Sequence, residues 1–424
     1  GEKERLEQVE DRWGDAPVTP YCANPTHSAE AAGLQPKPLS MPRIVQVTTV
    51  PASLRFLAGQ VGYMRDAGFE VTVLSSPGEE LRAFGEANGV ETMGVEMARS
   101  VTPVRDAATL ARLTRVLRRL APDIVHANTP KGGLLGTTAA AAARVPNRIY
   151  HIKGLPFETA TGTMRHVLMN TERVSCAFAH RVLCVSAGIR DLAIAERIVG
   201  PNKIQVLGHG SSNGVDARER FNPAKVPKGT RNEVRKSLGI PQDAVVVGFV
   251  GRLVGDKGVN ELAEAWEGIS ASLPKAHLLV VGPFEERDPV PEKTRRILRE
   301  NSSVTLCDKM MDGMTSLYSA MDVLALPSYR EGVPNVLLEA QAMGLAVVAS
   351  TIPGCVEATR EGESAILVPV RDAARLQEAL EILLRDELMR ARFGKVGREW
   401  VLRAFEPESI WRQTREVYEE MLAR

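Results

Sequence analysis

Cysteine is scarce and scattered: five residues (Cys22, Cys176, Cys184, Cys307 and Cys355) occur in 424. They form no C-x-x-C pair and no His/Cys cluster, so neither a disulfide framework nor a structural zinc site is written into the chain, and a reduced setting is expected. Long hydrophobic runs are also missing. None reaches the roughly 18 apolar residues of a membrane span, and no signal-peptide pattern is present, so a cytoplasmic protein is expected. Net charge is close to nil at +1, which removes any global case for a nucleic-acid partner. Three motifs are absent as well. No G-x-x-x-x-G-K-[ST] occurs, which excludes a P-loop; no G-x-G-x-x-G follows the first apolar run, where "TTVPASLRF" stands, which puts a nicotinamide oxidoreductase far behind. No Asp-x-Asp occurs anywhere.

What is present is an ordinary globular balance, 44% apolar and 25% charged, in a chain too long for one compact unit and comfortable for two. The charge is unevenly placed. Residues 1–40 carry four basic and seven acidic side chains, residues 41–215 carry 20 and 13, and residues 216–424 carry 29 and 32. A basic block of net +7 therefore sits inside a neutral protein.

Residues 1–40 read as an extension, with a short helix-like stretch and then a Pro/Ala/Gly/Ser-rich segment. From Met41 the chain alternates short apolar, Val/Ile-rich runs with helical patterns. Near-continuous hydrophobicity predicts strands buried on both faces of a parallel sheet. Runs at 41–50, 70–76, 91–97, 123–129, 147–154, 181–188 and 203–210 predict one sheet. Those at 244–250, 277–281, 304–307, 322–327, 346–350 and 365–370 predict a second. The expected fold class is α/β, two doubly wound Rossmann-like domains facing each other. Their spans are 41–215 and 216–405, followed by a last helix over 406–424. After the first strand, Leu54, Leu57, Val61 and Met64 share a stripe that predicts one helix ending at Gly68. The Gly-, Pro- and charge-rich segment 213–239 reads as the hinge.

Two stretches carry chemistry. "GFVGRLVGDKG" (248–258) follows a strand and opens a helix. Gly251 permits close backbone approach, and Arg252 and Lys257 place two cations beside a helix N-terminus, a combination suited to a diphosphate. A glycine turn with solvated charges is the plain alternative. "LPSYREGVPNVLLEAQAMG" (326–344) predicts a strand ending at Pro327, a loop with Glu331, Gly332 and Pro334, and a helix from about Asn335. Backbone N–H groups at Asn335 and Val336 can receive a phosphate. Glu331 stands above that helix start and Glu339 in its second turn, so the two carboxylates can hold two different hydroxyl-bearing groups.

These pieces, with "SSNGVD" and the closing "FEPESIWRQTREVY", resemble the retaining glycosyltransferases of family 4, which have the GT-B architecture of two Rossmann-like domains across a cleft. The similarity runs from about Arg43 to the C-terminus and includes bacterial transferases that extend polyprenyl-diphosphate-linked sugars. It implies a nucleotide-diphosphate sugar, expected to be UDP-HexNAc or UDP-hexose, in the C-terminal domain, and a glycan or polyprenyl-diphosphate-linked acceptor in the N-terminal domain, in envelope polysaccharide assembly. A UDP-sugar 2-epimerase of the same architecture is the alternative. By the same resemblance Arg252 and Lys257 stabilise the leaving diphosphate, Glu331 holds the donor sugar and Glu339 the ribose. The last helix crosses back to the N-terminal domain. No metal and no cofactor are expected, cations doing the work of an ion.

In the N-terminal half, many relatives carry a histidine immediately before the glycine that ends the fifth strand. This chain reads "YHIKG", with Lys153 there and His151 two positions earlier. Both are candidates for the reacting centre, although a buried His151 bonded to backbone is an equal alternative. "VPASLRF" replaces a double glycine and leaves Ser53 and Arg55 as acceptor-side candidates. A helix over 107–120 turns Leu110, Leu113, Leu117 and Leu120 inward and Arg112, Arg115, Arg118 and Arg119 outward. That is either a solvated face or a surface for anionic lipid on the inner face of the cytoplasmic membrane. The Met-rich run "CDKMMDGM" reads as a loop under the nucleobase.

Overall fold

The computed structural model describes residues 41–98, 102–285, 288–308 and 313–424. The extension at 1–40, Cys22 and half of the Met-rich run (309–312 of 307–314) lie outside the described residues.

The described residues divide into two compact units, one of 41–185 with 190–207 and 408–424, the other of 186–189 and 208–407. The first unit carries β1 (Arg43–Val47), β2 (Glu70–Ser75), β3 (Glu91–Gly94), β4 (Ile124–Asn128), β5 (Asn147–Ile152), β6 (Arg181–Cys184) and β7 (Ile204–Val206). All pair in parallel, in the order β3-β2-β1-β4-β5-β6-β7. The second unit carries β8 (Val245–Val250), β9 (Ala276–Val281), β10 (Val304–Cys307), β11 (Val323–Leu326), β12 (Ala346–Ser350) and β13 (Ala365–Val368). Here the parallel order is β10-β9-β8-β11-β12-β13. In each sheet the chain starts centrally, builds one way and then reverses, so a topological switch point lies at β1/β4 and at β8/β11. Open parallel sheets bind ligands beyond the carboxyl ends of their strands at such points.

The helices are α1 (Gln60–Asp66), α2 (Glu79–Asn88), α3 (Pro103–Leu120), α4 (Pro130–Ala142), α5 (Gly162–Phe178), α6 (Ala187–Ala195), α7 (Thr230–Ser237), α8 (Val259–Ser272) and α9 (Glu292–Glu300). They continue with α10 (Met314–Ser319), α11 (Asn335–Ala342), α12 (Pro353–Ala358), α13 (Ala373–Arg385), α14 (Glu387–Ala404) and α15 (Pro407–Leu422). In the first unit, Val45, Val47, Val125 and Ala127 pack with Leu113 and Leu117 of α3 and Leu135 of α4. The opposite face of the same strands, Ile44, Ile124 and Ile149, packs with Leu54, Leu57, Val61 and with Val417, Tyr418 and Met421 of α15. The final helix therefore belongs to the core of the first unit. Asp372 and Asp386 cap α13 and α14, their carboxylates accepting from the backbone N–H of Arg375 and Met389, as N-cap residues do.

Two expectations need correction. The helix after β1 is not continuous: a 3-10 helix over Pro51–Phe56 precedes α1. Gly59 breaks it with φ +76, and a Cβ there would lie 2.5 Å from the Trp411 ring of α15. The apolar stripe is as expected, since Leu54, Leu57, Val61 and Met64 are all buried. The segment 213–239 is not an open hinge but is built into the second unit. Arg235, 1% exposed, donates to the carbonyls of Ala320, Gln242 and Ala244 and to Asp322. Asp322 also accepts from Arg231 and from the Val246 N–H.

Candidate active site

In the second unit the two chemistry-bearing stretches meet at the switch point. β8 runs into "GRLVGDKG", whose Gly255–Lys257 forms a 3-10 turn ending at Gly258 with φ +68. A Cβ on Gly258 would lie 2.1 Å from the carbonyl oxygen of Pro327, so only glycine lets the loop after β8 press onto the end of β11. Three further contacts hold the loops together. Tyr329 N donates to the Asp256 carbonyl at 2.8 Å, Arg330 pairs with Asp256 at 2.9 Å and Tyr329 Oη donates to Glu261 at 2.6 Å.

That packing brings Lys257 beside Glu331: Nζ donates to Oε1 at 2.5 Å, with both side chains more than four-fifths buried. Arg252 pairs with Glu285 at 3.0 Å. The loop then enters α11 at Asn335, with Pro334 as N-cap and no side-chain cap. Asn335 and Val336 thus sit in the first turn, where N–H groups have no intrahelical acceptor. Glu339 lies one turn further and accepts from the buried Tyr318 of α10 at 2.7 Å. Gly251, Gly332 and Pro334 line the same two loops. The structure thus brings Lys257 to Glu331 just ahead of α11, with Asn335 and Val336 in the first turn of that helix and Glu339 one turn on, while Arg252 follows β8 and pairs with Glu285. Glu285, Asp256, Arg330 and Tyr318 were missed from sequence; each acts by touching a residue of the motifs, and none has a pattern of its own.

In the first unit the other candidates lie at the end of β5 and on the segment after β1. Lys153 Nζ lies 3.1 Å from His151 Nδ1, and His151 stacks on His126 with ring centroids 5.5 Å apart. His151 is thus held by side chains rather than backbone. Burial pulls Lys153 down to about 7. Burial, then the charge of Lys153, lowers His126 to about 3 and His151 well below the usual histidine value, so both rings are neutral. Ser53 and Arg55 lie on the 3-10 helix after β1; the Ser53 N–H donates to the Val50 carbonyl, and Arg55 is exposed over the Phe56 ring. Missed from sequence were Gln46, His126, Asn128 and Tyr418. Polar side chains at i and i+2 near the ends of "IVQVTT" and "IVHAN", on strands otherwise apolar, are the signal that marks them.

α3 carries Leu113 and Leu117 fully buried, with Leu110 and Leu120 partly so, while Arg112, Arg115, Arg118 and Arg119 are exposed. No described helix is long and apolar enough to cross a membrane. Cys176, Cys184, Cys307 and Cys355 are buried free thiols.

Two parallel-sheet Rossmann-like units in one chain, each with its strand order reversing at a switch point, define the GT-B architecture. Comparison with known proteins agrees. The family model described as glycosyl transferase 4-like domain matches residues 54–210, and that described as glycosyl transferases group 1 matches 244–386. The capsular polysaccharide biosynthesis glycosyltransferase CapM of Staphylococcus aureus is 31% identical over 380 residues, covering 90% of this chain and 97% of that protein. The UDP-Gal:α-D-GlcNAc-diphosphoundecaprenol α-1,3-galactosyltransferase of Escherichia coli is 31% identical over 261 residues, 61% of this chain and 65% of that one. Among solved structures, Anabaena Alr3699/HepE in complex with UDP and glucose superposes with TM-score 0.75 at 20% identity, covering 89% of this chain and 99% of that chain. The chain belongs to the group 1, family 4-like glycosyltransferases and is itself a glycosyltransferase of GT-B fold. These matches give no support to the epimerase or oxidoreductase alternatives.

Proposed function

We propose that this glycosyltransferase moves a hexose or N-acetylhexosamine from a UDP-sugar to a polyprenyl-diphosphate-linked or related glycan acceptor in envelope polysaccharide assembly, with retention of anomeric configuration. The observation that carries the donor reading is the Lys257–Glu331 pair just ahead of α11, with Arg252 on the same loop as Lys257. A diphosphate is doubly anionic and sheds more charge onto its oxygens as the glycosidic bond breaks. Cations and helix-start amides aimed there stabilise the transition state more than the ground state. Glu331 is then released from Lys257 to accept hydroxyls of the donor sugar, and Glu339, oriented by Tyr318, accepts those of the ribose. Arg252 and Lys257 supply the charge a metal would otherwise bring, and no metal is proposed. In the first unit, His151 and Lys153 are assigned catalytic roles, and Ser53 and Arg55 serve the acceptor side. The printed substrates of the E. coli relative, a UDP-sugar and a diphosphoundecaprenol-linked GlcNAc, support the choice of donor and acceptor classes.

The arginine face of α3, within a block of net +7, supports reversible binding to anionic membrane, where such acceptors reside. The donor reading is tested by thermal stabilisation with UDP-, GDP- and TDP-sugars. A ligand of the native state raises the melting temperature; UDP-sugars should do so, and stabilisation by GDP- or TDP-sugars alone would overturn the choice of nucleotide.

A further inference from the structure

On the face of the first sheet that α15 covers, polarity rises along three neighbouring strands toward their carboxyl ends. Ile44 and Ile124 form an apolar base, with Ile149 one row higher beside His126. Above them, in register, come Gln46 opposite His126 and then Asn128 opposite His151, with Thr48 and Lys153 continuing β1 and β5. Gln46, Thr48, His126 and Asn128 are each 2% exposed or less. Burying so many polar groups is costly unless they are bonded.

Their hydrogen bonds run in one direction. Asn128 Nδ2 donates to Gln46 Oε1 at 2.9 Å and to the His126 carbonyl at 3.3 Å. With two acceptors facing that nitrogen, the amide cannot be turned round without opposing oxygens. Gln46 must then offer its nitrogen to Tyr418 Oη, at 2.9 Å. Tyr418 has its acceptor side used, so its proton goes to His126 Nδ1, at 2.7 Å. The neutral His126 ring therefore carries its own proton on Nε2. The chain ends in two buried atoms with no partner among the described groups, the acceptor Asn128 Oδ1 and the donor His126 Nε2; the hydroxyl of Thr48 is a third.

We infer that this ordered chain is a recognition site for a hydroxyl-rich ring, the sugar of the acceptor, and that Tyr418 of the last helix is its positioning residue. A phosphate only accepts and would leave Asn128 Oδ1 unmet. A sugar hydroxyl donates and accepts, so neighbouring hydroxyls can satisfy Asn128, Thr48 and His126 together. The site lies at the β1/β4 switch point, where a parallel sheet receives its ligand. The inference rests on the reading that the first unit takes the acceptor, and it names the groups that would read it.

The test uses the full chain with 15N-labelled histidine, His126 being assigned through His126→Gln. Wild type should show His126 protonated on Nε2 and bare on Nδ1, and Tyr418→Phe, which keeps the ring, should lose that single tautomer. Methyl α-glycosides of glucose, galactose, mannose and their 2-acetamido forms, with a short prenyl diphosphate bearing N-acetylglucosamine, are then titrated in. At least one should shift the His126 Nε2–H resonance. Asn128→Ala and Tyr418→Phe should each weaken that ligand about tenfold, which corresponds to roughly 1.4 kcal/mol, while UDP affinity by calorimetry changes less than about twofold. A wild-type Nδ1–H tautomer, or no shift with any of these sugars, overturns the inference. So does a loss of UDP affinity equal to the loss of sugar affinity, since that marks a merely structural network. A probe that binds and leaves His126 unmoved defeats this site alone, whereas failure of the wild type to bind UDP counts against the donor reading instead.

Discussion

Lys257 and Glu331 are bonded to each other, Nζ to Oε1 at 2.5 Å, 74 residues apart in sequence. In this state the cation assigned to the diphosphate and the carboxylate assigned to the sugar neutralise one another, so donor binding exchanges one charge pair for two new contacts. Two buried partners of opposite charge are cheaper to keep together than singly.

The pair gives an asymmetric expectation. Glu331→Ala should lower kcat on the order of a hundredfold with little change in UDP affinity. Glu339→Ala should chiefly weaken nucleotide binding. Lys257→Ala leaves Glu331 unpaired and should lose kcat by more than it weakens the donor. Removing both partners should cost less than the sum of the single losses, because the surviving charge is no longer stranded. Near wild-type turnover in Glu331→Ala contradicts its assignment.

Gly258→Ala tests how the two loops are joined. The backbone is in the left-handed region and the new Cβ meets the Pro327 carbonyl at 2.1 Å. Strain of this kind costs about 1–3 kcal/mol, so the melting temperature should fall by several degrees, with donor affinity falling too as Lys257 moves away from Glu331. Unchanged melting and affinity show that the loops do not depend on this contact.

Most of the fold was legible in sequence because strands buried on both faces announce themselves as Val/Ile runs. Every predicted run from 41–50 to 365–370 coincides with a strand to within a few residues at its ends. The strand–loop–helix setting of each of the stretches 248–258 and 326–344 was legible because loop and helix follow each other directly in sequence. What could not be read were contacts set by the fold. Gly59 looks like any glycine in an amphipathic helix until Trp411 packs on it. Tyr418 reaches Gln46 across 372 residues, and no local pattern reports that. The segment 213–239 has hinge-like composition, yet Arg235 finds Asp322 and three carbonyls and becomes core.

Glu172 of α5 gives a pH signature in stability. It is 1% exposed and accepts from Tyr150 Oη at 2.8 Å. Burial raises its carboxyl to about 7, the Tyr150 bond opposing this. Between the ordinary carboxyl value near 4.5 and about 7, the folded chain holds a proton that the unfolded chain has released. Stability should therefore fall as pH rises through that window and level off above it. Glu172→Gln should flatten this slope in urea titrations from pH 4.5 to 8. A slope unchanged by the substitution removes Glu172 as its source.

The arginine face of α3 should bring the protein down with anionic liposomes at low salt and release it at high salt. Each basic side chain near such a surface contributes about 1 kcal/mol, and screening shortens to roughly 3 Å at 1 M. Reversing Arg112, Arg115 and Arg119 to Glu should abolish sedimentation while the buried Leu113 and Leu117 keep the helix in place. Equal binding to neutral vesicles, or binding that survives the reversal, leaves α3 a solvated face.

The central claim is that Arg252, Lys257 and Glu331 transfer a sugar from a nucleotide donor with retention and without a metal. NMR of the purified product, made from an α-linked UDP-sugar in the presence of EDTA, tests it most directly. An α-linked product formed at the same rate with and without EDTA is the result expected. A β-linked product, or activity lost in EDTA and restored by Mg²⁺ or Mn²⁺, contradicts it.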